Sequence, residues 1–254
     1  MQTKSLIENQ KCRLRRLLSL AIAFSIGCTL TSSAAEDHHK EDDSSLKEYH
    51  FEVGNFSNLS IQNNVNVVYT HCKDTIGHVR YKSEPDFEDA FIFTNNKGSL
   101  KIQVQTDDVG KPGLPTIYVS STNLEKIDNY SDFNVRVEDN VKADTFSCSL
   151  IGNGSITVSD INATNVNAKI TAGMGTIILS GECTNADFKL TGTGTIQANM
   201  LKASNINCKI LGGGSISTYP LRTLEVKGIG STKIYYRGNP TIKRRGGGKL
   251  IQVN

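Results

Sequence analysis

The chain has 254 residues, of which 37% are hydrophobic, 21% charged and 7% aromatic, with no Trp. This composition is globular and fits one or two domains, so it excludes collagen, a coiled coil and a wholly disordered chain. No apolar run approaches the roughly 18 residues of a membrane-spanning helix, and we predict no transmembrane span.

Residues 1–35 have the order of a secretory signal peptide. The basic stretch 11–16 (KCRLRR) precedes a short apolar run at 17–28, and Ser33, Ala34 and Ala35 offer small residues for cleavage. We therefore predict an exported protein at the cell surface, at the outer membrane or in the periplasm. A lipid anchor at Cys28 is a weaker alternative, because Ser25 stands where lipoprotein signals carry an aliphatic residue.

After the signal, residues 36–49 are polar and charged, and we predict a disordered linker there. Residues 50–145 contain short alternating segments that are typical of β-strands, without helical periodicity. The sequence Asn-Asn-Lys-Gly at 95–98 is typical of a hairpin loop. We expect loop excursions around 82–90 and 106–115.

Residues 146–245 repeat about every twenty residues. Each copy contains an alternating strand, a Gly-x-Gly turn, Ser or Thr, and a second strand. The alternation indicates one buried face, and the fixed spacing predicts that each strand stacks on its counterpart one coil away. The apolar positions that recur are Phe146, Val166, Ala186 and Ile206; Cys148, Ala168, Phe188 and Cys208; Leu150, Ile170, Leu190 and Ile210; and Ile156, Ile177, Ile196 and Ile216.

This pattern predicts an all-β, single-domain parallel β-helix, a β-solenoid with coils of about 20 residues. Residues 50–145 are expected to form irregular N-terminal coils of the same solenoid, 146–245 its regular coils and 246–254 its C-terminal end. The basic stretch 243–248 is expected to cap the open end. Both glycines of each turn are expected to supply a positive φ, at 152/154, 173/175, 192/194, 212/214 and 228/230.

The Gly-x-Gly turns are not predicted to be phosphate loops, because no helix follows them. Cysteines are expected to be small buried hydrophobes rather than disulfide partners. Cys148 and Cys208 share a column three coils apart, roughly 14 Å, which is too far for a disulfide. Cys183 falls in a column of small residues with Ala163 and Ala203.

Charge is divided unevenly between the two halves. Residues 36–145 contain 11 Lys+Arg and 20 Asp+Glu, a net charge of −9, whereas residues 146–254 contain 12 and 4, a net charge of +8. The bases of the second half are spread out, with only Lys243, Arg244 and Arg245 clustered. A solvated, partly cationic face is expected, with anionic polysaccharide or lipid headgroups as its more specific partners and no nucleic acid.

Candidate catalytic and metal-binding residues are few, and we assign no catalytic, cofactor or metal site. Glycan-cleaving β-helices need paired carboxylates. The acids of the repeat half do not recur in register, although Asp160 and Glu182 could approach within one coil step; these acids are Asp160, Glu182, Asp187 and Glu225. His71, Cys72 and His78 are too few for a zinc site.

The acidic cluster at 82–89 carries oxygen ligands that could hold Ca²⁺ but lacks the glycine-bearing calcium loop. A charged loop excursion is favoured there, and calcium binding stays open. The acids of the cluster are Glu84, Asp86, Glu88 and Asp89.

Over roughly 50–245 the sequence resembles a family of secreted bacterial proteins described as "putative auto-transporter adhesin, head GIN domain". The resemblance is carried by the alternating segment 51–70, the strand GSLKIQV at 98–104, the serial Gly-x-Gly-[Ser/Thr]-Ile copies and KIYYRGNPTI at 233–242. It implies a right-handed parallel β-helix in the Gram-negative envelope. The family's repeats usually place Asp after the turn; here those positions hold Ser155, Thr176, Thr195 and Ser215.

Together these features predict an exported, non-enzymatic β-solenoid that acts as a cell-surface or envelope adhesin or interaction protein. Its expected partner is a glycan or a surface protein, and no cofactor is expected. Two alternatives remain open. One is a polysaccharide-active β-helix enzyme, and the other is a periplasmic scaffold that self-associates end to end through the opposite charges of its halves.

Overall fold

The computed structural model describes residues 46–71 and 76–253. Apart from 3-10 turns at Pro85–Phe87 and Thr106–Asp108, the regular structure of these residues is β. The strands form one continuous sheet wound into a β-solenoid of about six turns with a spacing of about 20 residues, which confirms the predicted fold class. No helix in the described ranges is long and apolar enough to cross a membrane.

The strands are β1 (Lys47–Glu52), β2 (Asn58–Gln62), β3 (Val67–His71), β4 (His78–Ser83), β5 (Phe91–Asn96), β6 (Ser99–Val104), β7 (Ile117–Ser121), β8 (Lys126–Tyr130), β9 (Asn134–Val137), β10 (Val141–Ile151), β11 (Ser155–Ala172), β12 (Thr176–Gly192), β13 (Thr195–Gly212), β14 (Ser215–Gly230), β15 (Lys233–Tyr236), β16 (Thr241–Gly246) and β17 (Lys249–Gln252).

Strands β10 to β14 pair in parallel, each with the strand one coil away, and the predicted apolar columns are confirmed. Phe146 pairs with Val166, and the column continues through Ala186 and Ile206 to Leu224. These side chains are all buried. Because burying one large aliphatic or aromatic side chain contributes about 1.5–3 kcal/mol, the stacked columns are the main stabilising feature of the repeats.

Two of the cysteines are buried as predicted, whereas Cys183 lies in the predicted column but is only half-buried. Cys148 and Cys208 are free and buried, and Cys183 pairs in register with Ala163 and Ala203. Burial raises the pKa of the Cys148 and Cys208 thiols to about 12, so both stay protonated at neutral pH. Cys72 lies outside the described residues.

The turn glycines correct one prediction. The first glycine of each pair has a positive φ, as Gly152 does at 137°, but the second glycine of the first four copies does not. That second glycine is needed for space, because a Cβ on Gly214 would lie 2.0 Å from the Gly194 carbonyl oxygen, and one on Gly154 would lie 2.2 Å from that of Phe133. Close stacking of consecutive turns therefore explains the second glycine of the Gly-x-Gly motif in these copies.

The N-terminal strands extend the same columns but differ from a simple continuation. β2 lies between β6 and β8, so the spatial order departs from the chain order. Three pairs are antiparallel: β1 with β4, β4 with β7 and β5 with β6. The predicted hairpin at 95–98 is confirmed, with Lys97 and Gly98 both at positive φ. Since β1 begins at Lys47, the last three residues of the predicted linker 36–49 belong to the sheet.

The two ends of the solenoid are closed differently. At the N-terminal end, Tyr81 is buried against the rings of Tyr49 and Phe91, at centroid distances of 5.2 and 5.0 Å. At the C-terminal end, β16 and β17 form the last coil, and Arg244 takes the column position of Val226. Its guanidinium donates to the carbonyl oxygens of Gly246 (3.3 Å) and Gly248 (2.6 Å), and an inward charge of this kind protects an exposed sheet edge.

Candidate binding face

The strand segment that precedes each Gly-x-Gly turn has one face toward the solvent. Because side chains alternate along a strand, the residues between the buried column positions point outward, and the parallel register repeats them one coil apart. Neighbouring coils are separated by about 4.8 Å at the spacing of hydrogen-bonded strands. The outward side chains of β10 to β14 and β16 thus form straight columns along the solenoid.

One of these columns is cationic. Lys169 pairs with Lys189, Lys189 with Lys209, Lys209 with Lys227, and Lys227 with Arg245. We call these five residues the cationic column. Four of the five side chains are exposed, and Lys227 is half-buried. Toward the N-terminus the column continues as Ser149 and Asp128, so the run of cations belongs to the repeats alone.

A mixed column runs beside the cationic one and supplies its carboxylates. The Lys209 ammonium lies 3.3 Å from an oxygen of Asp187, and that of Lys227 lies 2.8 Å from Glu225. Within 46–71 and 76–253, the other members of the cationic column have no carboxylate within 4 Å. The mixed column consists of Asn167, Asp187, Asn207, Glu225 and Lys243.

The electrostatic effect of the cations is visible on Glu225. Its hydrogen bond to Lys227 lowers the pKa of the carboxyl, and the positive charges of Lys227, Lys243 and Arg245 lower it further, against a smaller opposing effect of desolvation. Counting both columns from the coil of Lys169 onward, six cations face two carboxylates. The face is therefore net positive.

An asparagine ladder borders these columns on the side away from the Gly-x-Gly turn. The Asn185 amide donates to Asn165 at 3.1 Å, and the Asn205 amide donates to Asn185 at 3.0 Å. Thr223 extends the ladder by donating to Asn205 at 2.9 Å. Each amide nitrogen has two N–H groups and uses one within the ladder, so amide donors and acceptors remain toward the solvent.

A shallow open groove of about 440 Å³ lies where the cationic column begins. Its charged lining residues are Lys126, Asp128, Lys169, Asp187, Lys189 and Lys209. Lys126 pairs with Asp128 at 2.7 Å, which raises the pKa of Lys126 mainly through that hydrogen bond. Lys209 is likewise paired with Asp187, so among the described residues the groove cations without a carboxylate within 4 Å are Lys169 and Lys189.

The carboxylates considered from the sequence are dispersed. In register, Glu182 pairs with Asn162 and Lys202 rather than with Asp160, and its carboxylate lies 3.2 Å from the Lys202 ammonium. Asp187 and Glu225 belong to the mixed column but are two coils apart.

The other candidate residues belong to the N-terminal region. The acidic residues at 84–89 surround the 3-10 turn Pro85–Phe87, where the Tyr81 hydroxyl donates to the Glu88 carbonyl oxygen at 2.5 Å. The His71 backbone N–H donates to a carboxylate oxygen of Asp139 at 3.0 Å. No group of three or more His, Cys, Asp or Glu that could hold a metal ion occurs among the residues described.

The cationic column is the feature that the sequence analysis missed, because it treated the bases of the second half as scattered. The signal was present in the repeat itself. Lys169, Lys189 and Lys209 are spaced by twenty residues and follow the same inward position in each copy. Aligning the polar positions as well as the apolar ones would have predicted the column.

Comparison with solved structures supports the fold. The chain is similar to a putative adhesin from Bacteroides fragilis NCTC 9343, with 18% identity, a TM-score of 0.75 and coverage of 82% of this chain and 97% of that one. It is also similar to a putative adhesin from Parabacteroides merdae ATCC 43184, with 19% identity, a TM-score of 0.65 and coverage of 83% and 97%.

A third similar structure is described as a putative lipid binding protein from Parabacteroides distasonis ATCC 8503, with 18% identity, a TM-score of 0.66 and coverage of 83% and 97%. No curated protein matches the chain. The family model described as "Putative auto-transporter adhesin, head GIN domain" matches residues 55–240, which is most of the chain. The chain therefore belongs to this adhesin family.

Proposed function

We propose that this protein is an exported, non-enzymatic interaction protein of the cell surface that binds its partner through the long polar face of its solenoid. The observation that carries the proposal is the continuous face of cationic column and asparagine ladder, which repeats one binding element per coil. Family membership supports an adhesin-like role. The signal-peptide pattern of residues 1–35 supports export.

The chemistry of the face favours binding over catalysis. Asp187 and Glu225 each lie against a lysine, and the lowered pKa of Glu225 makes that carboxyl poorly suited to act as a general acid. A hydrolase of the β-helix type would need two carboxyl groups across one bond of the substrate. Ladders of amide and ammonium groups offer many weak contacts along an extended partner instead.

Lipid binding, suggested by one structural neighbour, is less well supported. Charged and hydroxyl side chains line much of the groove on this face, and the buried side chains of the repeats fill the interior of the solenoid. A lipid tail would need an apolar cavity or surface. Contact with a charged headgroup is the main form of lipid recognition that this face could provide, with the exposed Leu211 and Ile229 as its apolar neighbours.

The location is tested by labelling intact cells that produce the protein with a membrane-impermeant amine reagent and, in parallel, by treating them with protease. The exposed lysines of the cationic column are good labelling sites, and the exposed loop at 105–113 is accessible to a protease of broad specificity such as proteinase K. A surface protein is labelled and cleaved on intact cells while a periplasmic marker is not. Labelling and cleavage only after lysis would contradict the proposal and place the protein inside the envelope.

Self-association end to end is a second candidate, because acidic residues surround the N-terminal end and β16 carries Lys243, Arg244 and Arg245 at the other. The position of Arg244 opposes it, since its guanidinium is bonded back onto its own coil. Light scattering across a salt series distinguishes the two: end-to-end association gives a mass that falls as salt screens the opposite charges. A salt-independent monomer mass would reject it.

A further inference from the structure

We propose that the cationic column binds an extended acidic polysaccharide, with one carboxylate or sulfate group at each coil. This proposal rests on the proposed function, since such polymers are met outside the cell, and it adds the chemical class of the partner. It is carried by the register of five successive cations along one straight line of the solenoid.

The spacing of the column calls for an anionic partner with a similar repeat. Five like charges about 4.8 Å apart repel one another, and among the residues that the structure describes only Lys209 and Lys227 have a carboxylate nearby. A linear polymer with regularly spaced anions relieves this repulsion along the whole column. It also releases the counterions of both partners, so binding should weaken as salt rises.

The surroundings of the column favour a polysaccharide over other polyanions. Single-stranded nucleic acids are held by aromatic side chains on which bases stack, and membranes are held by apolar side chains that enter the lipid. On the side away from the turns, the outward positions beside the column are Asn, Asp, Glu, Ser, Thr and Lys. On the turn side the exposed side chains of Leu211 and Ile229 are apolar, and they extend over two of the coils. The asparagine ladder can exchange hydrogen bonds with hydroxyl groups, which every sugar residue presents.

The experiment measures binding of the full-length protein to polygalacturonate, a linear polymer with one carboxylate per sugar, by isothermal titration at low and high salt. Dextran is the neutral control polymer. The test variant is the triple substitution Lys169→Gln, Lys189→Gln and Lys209→Gln. The matched control is the triple substitution Lys82→Gln, Lys142→Gln and Lys233→Gln, which removes the same charge from exposed lysines outside the column.

We expect polygalacturonate to bind, dextran not to bind, and the test variant to lose about tenfold in affinity, because each exposed ion pair contributes modestly. The control variant should change affinity by less than about twofold. Among defined oligogalacturonates, affinity should rise with length until the chain spans the five cations. Unfolding curves of both variants should match the parent, which shows that the column and not the fold has been altered.

Equal losses in the two variants would overturn the proposal, since they would mean that net charge alone attracts the polymer. It would also be overturned by no binding to polygalacturonate, or by tighter binding to oligo-dT or to vesicles of phosphatidylserine and phosphatidylcholine. The labelling of intact cells is independent of all these results. If the protein is labelled on intact cells but does not bind the polymer, the polysaccharide proposal is rejected and the proposed function as a surface interaction protein is kept.

Discussion

In the repeat region, residues 146–253, each strand stacks on the strand one coil earlier in the chain. In the N-terminal region, residues 46–71 and 76–145, β2 instead lies between β6 and β8. The repeat region obtains its columns from a local sequence period and from glycines that allow turns to touch. The N-terminal region obtains the same columns from hairpins and a cluster of aromatic rings. The two regions thus form one solenoid from different local structure. Only the repeat region presents identical side chains on successive coils.

The largest expected effect lies in the N-terminal aromatic cluster. Replacing Tyr81 by Ala removes a ring that is 1% exposed, and we expect the free energy of unfolding to fall by about 3–5 kcal/mol in denaturant titrations. Tyr81→Phe keeps the ring and loses only the hydrogen bond to the Glu88 carbonyl, so it should cost about 1 kcal/mol. Similar losses in the two variants would show that ring packing does not hold this end together.

The repeat region should instead be sensitive at its turns. Gly214→Ala would place a Cβ 2.0 Å from the Gly194 carbonyl oxygen, and we expect a loss of about 3 kcal/mol or no soluble folded protein. Gly213→Ala is the adjacent control, because its Cβ would meet only side-chain atoms at 3.4 and 3.9 Å. If the two variants melt at the same temperature, the close approach of the turns is not what requires glycine.

Buried thiols give the repeat region a defined alkaline sensitivity. The pKa of Cys148 and of Cys208 is raised to about 12 in the folded state from the ordinary value of 9.0. Between these values the unfolded chain releases thiol protons that the folded chain keeps, so stability is constant below pH 9 and falls as the pH rises above it. Each thiol should cost about 1.4 kcal/mol at pH 10.

The thiol contribution is isolated by comparing the parent with the double variant Cys148→Ala and Cys208→Ala at pH 7 and pH 10. Both proteins retain the same tyrosines, so their other alkaline losses cancel. The double variant should lose about 2–3 kcal/mol less between the two pH values. An identical loss would mean that the two thiols already ionise in the folded protein and are not buried in the columns.

The smallest expected effect concerns the asparagine ladder. Asn185 lies at its centre, donating to Asn165 and accepting from Asn205. Because the ladder is exposed, Asn185→Ala should change the free energy of unfolding by no more than about 0.5–1 kcal/mol. Asn153→Ala, in a turn outside the ladder, is a suitable comparison. A loss above about 2 kcal/mol for Asn185→Ala alone would make the ladder a structural rather than a surface feature.

The sequence predicted the stacking of the strands correctly in the region that repeats every twenty residues. The column of Phe146, Val166, Ala186 and Ile206 follows from spacing alone, because equal coils must stack at equal positions. The antiparallel pairing of β1 with β4 could not be predicted in this way, since no repeat relates the two strands and their contact depends on the assembled aromatic cluster. The second glycine of the first four turns was predicted for a positive φ that it does not have, and its real constraint is a contact with the preceding coil that one turn cannot reveal.

The cationic column could have been predicted from the sequence, but the ion pairs that neutralise some of its lysines could not. Lys169, Lys189 and Lys209 share the spacing of the apolar columns, so the cationic column follows from the same alignment. Which cations are neutralised depends on side-chain geometry, as the pairing of Lys209 with Asp187 shows, because that carboxylate comes from a residue 22 positions earlier.

The coil register is tested most directly by removing one whole coil. Thr195 and Ser215 are paired partners, so deleting residues 195–214 joins Gly194 to Ser215 and leaves every remaining column in step. The register predicts that the deletion variant folds and unfolds cooperatively, with a shallower slope of the free energy of unfolding against denaturant concentration. Duplication of 195–214 should give a folded protein with a steeper slope. Deleting only 195–204 should prevent folding. Equal behaviour of the full-coil and half-coil deletions, together with an unfolded duplication variant, would contradict the register.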